Sequence, residues 1–349
     1  MTTKTSLLSP LLAIWLLGTG CLHDAFDADS TEEGSELDEV AASTRQWHPL
    51  YEGCATSITV APNDVVWVTG CDGDADHSVW YMRYEVQCYE GICADVPVWH
   101  DNSGSGNHVA INRAGGAMAI TADGTVMAAL GRNGSDGIHR PTGRWANLFP
   151  WTQVCVNEIE EYAASNDGAL AFETPGYTTD PSAMRYLATE CDPDVYGNSS
   201  VMHRRGQGQD SPWQFVVGRV KTLALFYRLF GDTLSQTFWG LGANGSIWLF
   251  DEDSQTFSQM PAPPSYTYDL TDHFAAAEDG IYEWNDSAQR WDRYMDNMTL
   301  GGPVMQIAHA GAVRVRRQDG TIATVGPSSL WAIDQGGTVY YASSFTPPR

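Results

Sequence analysis

An all-β protein made of repeated four-stranded antiparallel units is the fold class this sequence predicts, and three observations predict it. The first is a repeat. "APNDVVWVT" (61 to 69), "RAGGAMAIT" (113 to 121) and "SNDGALAFE" (165 to 173) follow one another at intervals of 52 residues. Trp47, Trp99 and Trp151 precede them at a constant offset. The second is composition: 13 Trp, 15 Tyr, 11 Phe and 34 Gly in 349 residues suit short strands joined by tight turns. The third is periodicity. After the N-terminal segment, no long stretch carries apolar residues at the three-and-four spacing of an amphipathic helix.

Residues 1 to 20 read as an export signal. One cation, Lys4, is followed by an apolar run from Leu7 to Leu17 and then by small residues. About fifteen apolar residues are too few for a comfortable membrane span. The stretch "LGTGC" resembles the lipobox of bacterial lipoproteins, which implies cleavage before Cys21 and a lipid anchor on it. Gly18 stands where that family usually has Leu. Ordinary secretion, with cleavage after a small residue, is the plainer alternative. The expected location is therefore the outer membrane or periplasm, or else the medium.

Residues 21 to 46 hold eight acids between Asp24 and Glu39 against Arg45 alone. A segment of this kind repels itself and reads as a disordered tether. The formal charge of −24 argues against nucleic acid or an anionic bilayer as a direct partner.

The folded domain is expected over 47 to 349. Past residue 173 the repeat continues with looser spacing, led by Trp213, Phe257 and Trp291. Each unit reads as an aromatic, a strand, a turn, a second strand, a second turn and a third strand. Asp123–Gly124, Asn244–Gly245, Asp279–Gly280 and Asp319–Gly320 supply turns of the type that tight hairpins demand. Three strands plus the one bearing the next aromatic make a four-stranded antiparallel blade. Blades recurring every few tens of residues are the pattern of a β-propeller. The aromatics at 47, 99, 151, 213, 257 and 291 argue for six blades. The terminal hairpin "SSLWAIDQGGTVYYASS" either closes the ring against "RQWHPLY" or remains from a seventh.

Cysteine use agrees with export. Cys54, Cys71, Cys88, Cys93, Cys155 and Cys191 remain once Cys21 is set aside. A hairpin about Pro62–Asn63 has Ile58 facing Trp67, Val60 facing Val65 and Cys54 facing Cys71. Facing residues lie about 4.5–5.5 Å apart, within disulfide reach. "CYEGIC" similarly sets Cys88 against Cys93, and Cys155 and Cys191 are left for each other. Metal binding is the weaker alternative, because neither spacing is that of a zinc pair.

The units resemble tectonin-type propeller repeats. "ITVAPNDVVWV", "FWGLGANGSIWLF", "EDGIYEWND" and "IATVGPSSLWAIDQGGTVYYA" carry the resemblance across most of 47 to 345. Ala119 and Ala171 depart from it at the place read as that of Trp67. The resemblance implies a non-enzymatic recognition ring for glycans or surface lipopolysaccharide.

No metalloprotease helix, nucleophile elbow, phosphate loop or dinucleotide fingerprint is present, and no sialidase-type Asp box. Binding is therefore expected, with no cofactor. The ligand is expected to be a glycan or lipopolysaccharide, with an envelope protein as the alternative partner and a glycan-active enzyme as the third. Asp72, Asp74 and Asp76 alternate in "CDGDADHS", as in loops that begin a calcium site, although a solvated polar loop is the plainer account. Arg204 and Arg205, in a basic loop, have the chemistry to grip a phosphate or carboxylate, against a plain solubilising role. Arg314 and Arg316 share one strand face and would line the channel or an edge. Trp67, Trp239 and Trp331 are the aromatics singled out for stacking on sugar faces, although most strand tryptophans are expected to pack blade on blade.

Overall fold

The computed structural model describes residues 47–50, 54–61, 65–71, 77–89, 92–111, 116–133, 139–150, 154–163, 184–205, 209–230, 233–251, 254–297, 302–310, 313–316, 322–325 and 329–342. Every helix or strand among them is a β-strand. β1 (Trp47–Pro49) opens the chain. Blade one is β2 (Ser57–Val60), β3 (Val66–Thr69), β4 (His77–Tyr89) and β5 (Ile92–Gly106). Blade two is β6 (His108–Ile111), β7 (Ala117–Ile120), β8 (Val126–Asn133) and β9 (His139–Asn147). Blade three is β10 (Val156–Ala163), β11 (Met184–Glu190), β12 (Ser199–Arg205) and β13 (Gln214–Val220). Blade four is β14 (Thr222–Phe230), β15 (Thr233–Leu241), β16 (Ile247–Asp251) and β17 (Thr256–Met260). Blade five is β18 (Thr267–Thr271), β19 (Phe274–Ala277), β20 (Gly280–Asn285) and β21 (Arg290–Asp296). β22 (Val304–Ala310) is followed by a ribbon, β23 (Val313–Arg316) and β24 (Ile322–Val325), then by β25 (Ser329–Asp334) and β26 (Val339–Ala342). Blade six is β22, β25, β26 and β1, so the first strand completes the last sheet.

The architecture is a β-propeller. Among the described residues, the inner strands touch in a closed cycle: β2 lies beside β6, then β10, β14, β18 and β22, and β22 returns to β2. Blades three and four also share one parallel bridge, Val217 opposite Thr256, which makes them a single eight-stranded sheet.

Register shows what each repeat contributes to the core. Trp67, Met118, Leu187, Trp239, Phe274 and Trp331 occupy one level of the second strands. All are buried, and each joins a cluster shared with the following blade. Outer strands carry a matching set that packs on the preceding blade: Trp47, Trp99, Trp145, Trp213 just before β13, Phe257 and Trp291. Each fully buried large side chain contributes about 1.5–3 kcal/mol, so the six joins hold the ring by apolar packing.

Several sequence expectations need correction. Trp47 and Trp99 are equivalent, but Trp145 takes the corresponding place in blade two, and Trp151 lies outside the described residues. Met118 and Leu187, not Ala119 and Ala171, match Trp67; Ala171 and the third repeat at 165 to 173 lie outside the described residues. Blade six does not continue from β22 into β23 and β24. Arg314 and Arg316 lie on the separate β23–β24 ribbon, and the terminal hairpin β25–β26 supplies the middle of that blade.

Blade one is also offset by one residue from the expected register. Ile58 faces Val68 and Val60 faces Val66, because Ala61 and Val65 bracket three residues rather than two. Cys54 still meets Cys71, with Cα atoms 5.3 Å apart. The Thr56 amide donates to Thr69 O, and Ser57 also pairs with Thr69. Two residues opposite one form a bulge, which takes up the extra residue. Cys88 pairs with Cys93 and Cys155 with Cys191.

Candidate functional site

The bulge recurs, and it builds the axis. Blades three, five and six shift register between Val156 and Glu158, Thr267 and Asp269, and Val304 and Gln306. At this level each inner strand presents a polar residue followed by a buried aliphatic one. The pairs are Ser57–Ile58, His108–Val109, Glu158–Ile159, Thr222–Leu223, Asp269–Leu270 and Gln306–Ile307. The aliphatic member packs on the preceding blade. In four blades the polar member reaches forward and accepts a backbone amide of the next. Ser57 Oγ accepts from Val109 N at 3.2 Å and Glu158 Oε2 from Leu223 N at 2.8 Å. Asp269 Oδ2 accepts from Ile307 N at 2.9 Å, and Gln306 Oε1 from Ile58 N at 3.2 Å.

Burial at the axis perturbs these groups. It pushes Glu158 up to about 8; the Leu223 amide opposes the rise and the Asp269 charge adds to it. Glu160, two residues along the strand, also rises to about 8 through burial and then through Glu158 and Asp269. Asp269 rises to about 7 for the same first reason, opposed by the Ile307 and Leu270 amides. Burial drives His108, bonded through Nδ1 to Ser57 Oγ, down to about 4.

One residue earlier lies a second ring, made of Thr56, Asn107, Asn157, Lys221, Tyr268 and Met305. Thr56 and the two asparagines are exposed, and the other three are partly so. This ring is on the upper face, where the chain passes into each inner strand. Turns between second and third strands share that face. Gly124 and Gly197 adopt φ of 78° and 89°, and their amides close onto Thr121 O and Asp194 O. Gly245 and Gly337 close the same turn in blades four and six.

Across blades three to five these turns form a continuous arc. Asn198 Oδ1 accepts from Ala243 N at 2.7 Å, and Tyr266 Oη donates to Ala243 O at 2.8 Å. The Tyr266 ring stands against Tyr268 at 5.1 Å, and Lys221 Nζ donates to Tyr268 O at 3.4 Å. Asp194 Oδ1 accepts the amides of Tyr196 and Asn198, and Arg219 Nη1 bonds Asp192 and Ser200 beneath. On this braced backbone Tyr196 is 79% exposed and Tyr266 39%. Exposed rings, amides and one ammonium together can stack on and hydrogen-bond a polyhydroxylated ligand.

Most residues singled out in the sequence lie elsewhere. Trp67, Trp239 and Trp331 are sealed in blade joins, so none of them presents a face to a sugar. Trp239 Nε1 donates to Asp272 O of blade five at 2.9 Å, and Trp331 Nε1 to Ser329 Oγ at 2.9 Å. Arg204 is buried too, its guanidinium 4.8 Å from the Phe149 ring centre and 5.8 Å from that of Trp213. Only Arg205, at the end of β12, is exposed. Asp72, Asp74, Asp76 and Cys21 lie outside the described residues. The axial residues escaped sequence reading because the six positions hold six different residue types.

No family model matches the chain, and no curated protein matches it. Solved structures similar to it include AofleA from Arthrobotrys oligospora, at 13% identity over 85% of this chain and 86% of that one, with a TM-score of 0.43. The WD40 β-propeller domain of Doa1 is 10% identical over 88% and 98%, with a TM-score of 0.44. Sqt1 of Saccharomyces cerevisiae is 11% identical over 87% and 98%, with a TM-score of 0.40. The propeller assignment rests on strand pairing and the closed cycle of inner strands, not on these likenesses.

Proposed function

We propose that the chain is a non-enzymatic binding propeller that recognises carbohydrate, lipopolysaccharide-type surface ligands included, through its upper face. The observation that carries this reading is the tyrosine arc. Tyr196 and Tyr266 are large apolar rings held out to solvent on a backbone fixed by hydrogen bonds from three successive blades. A rigid ring loses little entropy when it stacks on the C–H face of a sugar. Anchoring through Cys21 and an acidic tether would display the arc at the cell envelope. Mass spectrometry of the native protein tests that part: a free N-terminus elsewhere, on protein found in the medium, removes the anchor.

A glycan array probed with the wild-type protein and with Tyr196→Ser tests the binding. Tyr196 makes no core contact, so the variant should fold normally and lose signal by about tenfold or more. Equal signals, or no glycan bound by either protein, reject the reading. One observation favours a protein-docking scaffold instead. The β4–β5 ribbon runs out to a tip closed by Cys88–Cys93 and exposes Val86 and Tyr89. One stoichiometric co-purifying protein, lost with Tyr89→Ser but kept with Tyr196→Ser, would support that alternative.

A further inference from the structure

The lower end of the β11–β12 hairpin, opposite the tyrosine arc, sets two arginines side by side. Arg185 and Arg205 are Cα partners there, so their side chains leave the same face of blade three. Arg205 is exposed and Arg185 half-buried. The next pair inward on that face is Leu187 opposite His203, both buried. Leu187 belongs to the cluster shared with blade four, so the arginines stand at the rim of that join. We propose that Arg185 and Arg205 form an oxyanion site that takes a phosphate group between their two guanidinium groups.

Like charges directly opposite each other destabilise an antiparallel pair, and an anion held between them reverses the sign. Among the described residues, the charged groups acting on His203 are these two arginines. Burial first, then Arg205 and Arg185, hold its imidazole down at about 4. Glu160, the Cα partner of Leu187 on β10, is acted on instead by Glu158 and Asp269, towards the axis. The field at this rim is therefore positive, in a chain whose formal charge is −24. Such a chain repels anions as a whole, so binding here depends on the local pair. A guanidinium carries five donors, so a bond that either arginine makes within the chain leaves others for a ligand. Two planar forks on neighbouring strands suit the several oxygens of a tetrahedral phosphate better than one fork does. The neutral floor of Leu187 and His203 brings no carboxylate against the anion.

The test is calorimetric titration of the whole protein with inorganic phosphate and with glucose 6-phosphate, at constant ionic strength set with chloride. Wild type should bind at least one of them, and Arg205→Gln should bind it about tenfold or more weakly. Arg144→Gln makes the same charge change at an exposed position of blade two and should bind as wild type does. Arg205→Lys keeps the charge and loses the fork, so its affinity should fall between wild type and Arg205→Gln. Should Arg205→Gln fail to fold, the loss in Arg205→Lys decides. Without phosphate, Arg205→Gln relieves the facing charges and should melt no lower than wild type. Tighter binding of glucose 6-phosphate assigns the phosphate to a sugar, and equal or tighter binding of inorganic phosphate assigns it to the free ion. Either supports the site. Failure of wild type to bind both probes, or equal weakening in Arg144→Gln and Arg205→Gln, overturns the proposal. A clearly lower melting point for phosphate-free Arg205→Gln overturns it too, since Arg205 would then be a structural residue.

Discussion

Replacing Trp239 separates a packing role from a ligand role. Its indole is fully buried, with ring centres 5.6 Å from Trp284 and 5.8 Å from Trp291 in blade five. Its Nε1 donates to Asp272 O at 2.9 Å, a bond between blades. Truncating a buried Trp to Ala costs about 3–5 kcal/mol. Loss of the hydrogen bond adds about 1 kcal/mol. Trp239→Phe keeps most of the apolar volume and loses the donor, so it should cost about 1–2 kcal/mol. Urea unfolding, followed by circular dichroism and fluorescence together, measures both. With a slope of about 3 kcal/mol per molar for a chain of this size, the Ala midpoint should drop by about 1–2 M. Coincidence of the two probes licenses the comparison. A Trp239→Ala protein within about 1 kcal/mol of wild type, with unchanged slope, would refute the packing argument and return Trp239 to the list of ligand aromatics.

Two further predictions concern the turns and pH. Gly124 and Gly197 share a left-handed φ, but a Cβ at Gly124 would come within 2.8 Å of Cys155 Cα, whereas the nearest atom to one at Gly197 is Ala243 Cβ at 3.8 Å. Gly124→Ala should therefore lower the thermal midpoint clearly more than Gly197→Ala, which carries backbone strain of about 1 kcal/mol alone. For pH, Glu158, Glu160 and Asp269 are raised to about 8, 8 and 7 when folded, so the folded state binds more protons than the unfolded one up to about pH 8. His108 and His203, lowered to about 4 from 6.5 chiefly by burial, act in the opposite sense, with an effect that fades above about pH 7. Between about pH 7 and 8 the carboxyl groups dominate, and stability should fall as pH rises, on the order of 1 kcal/mol per unit. A flat or rising thermal midpoint across that window contradicts the assignment.

What the sequence disclosed followed from residue size. Trp47, Trp99, Trp213, Phe257 and Trp291 could be read as one per unit because each blade needs a bulky outer-strand residue against its neighbour. The sixth was misread. Trp151 keeps the 52-residue spacing and lies outside the described residues, while Trp145 keeps the structural register. Blade length varies with its hairpins, so constant spacing is no guide to register. Trp67 and Trp331 were legible as strand residues, but alternation alone does not tell a blade join from an open face. The axial ring was hidden twice. Its position follows an irregular bulge, and its role needs only an oxygen acceptor, which Ser, Glu, Asp and Gln all supply. Tyr196 sits in a turn whose Asp and Gly were readable, but its exposure depends on bonds to a neighbouring blade.

The functional reading hangs from closure of the ring by the first strand on the last blade, and one cross-link tests that closure directly. His48 and Tyr341 are Cα partners across β1 and β26. Facing positions of an antiparallel pair lie within disulfide reach, about 4.5–5.5 Å. Oxidising the folded His48→Cys/Tyr341→Cys protein and mapping its peptides without reduction should join the two introduced thiols in most molecules. It should leave Cys54–Cys71, Cys88–Cys93 and Cys155–Cys191 in place. Two free thiols in a folded protein would mean that the ring is open and that blade six is built differently.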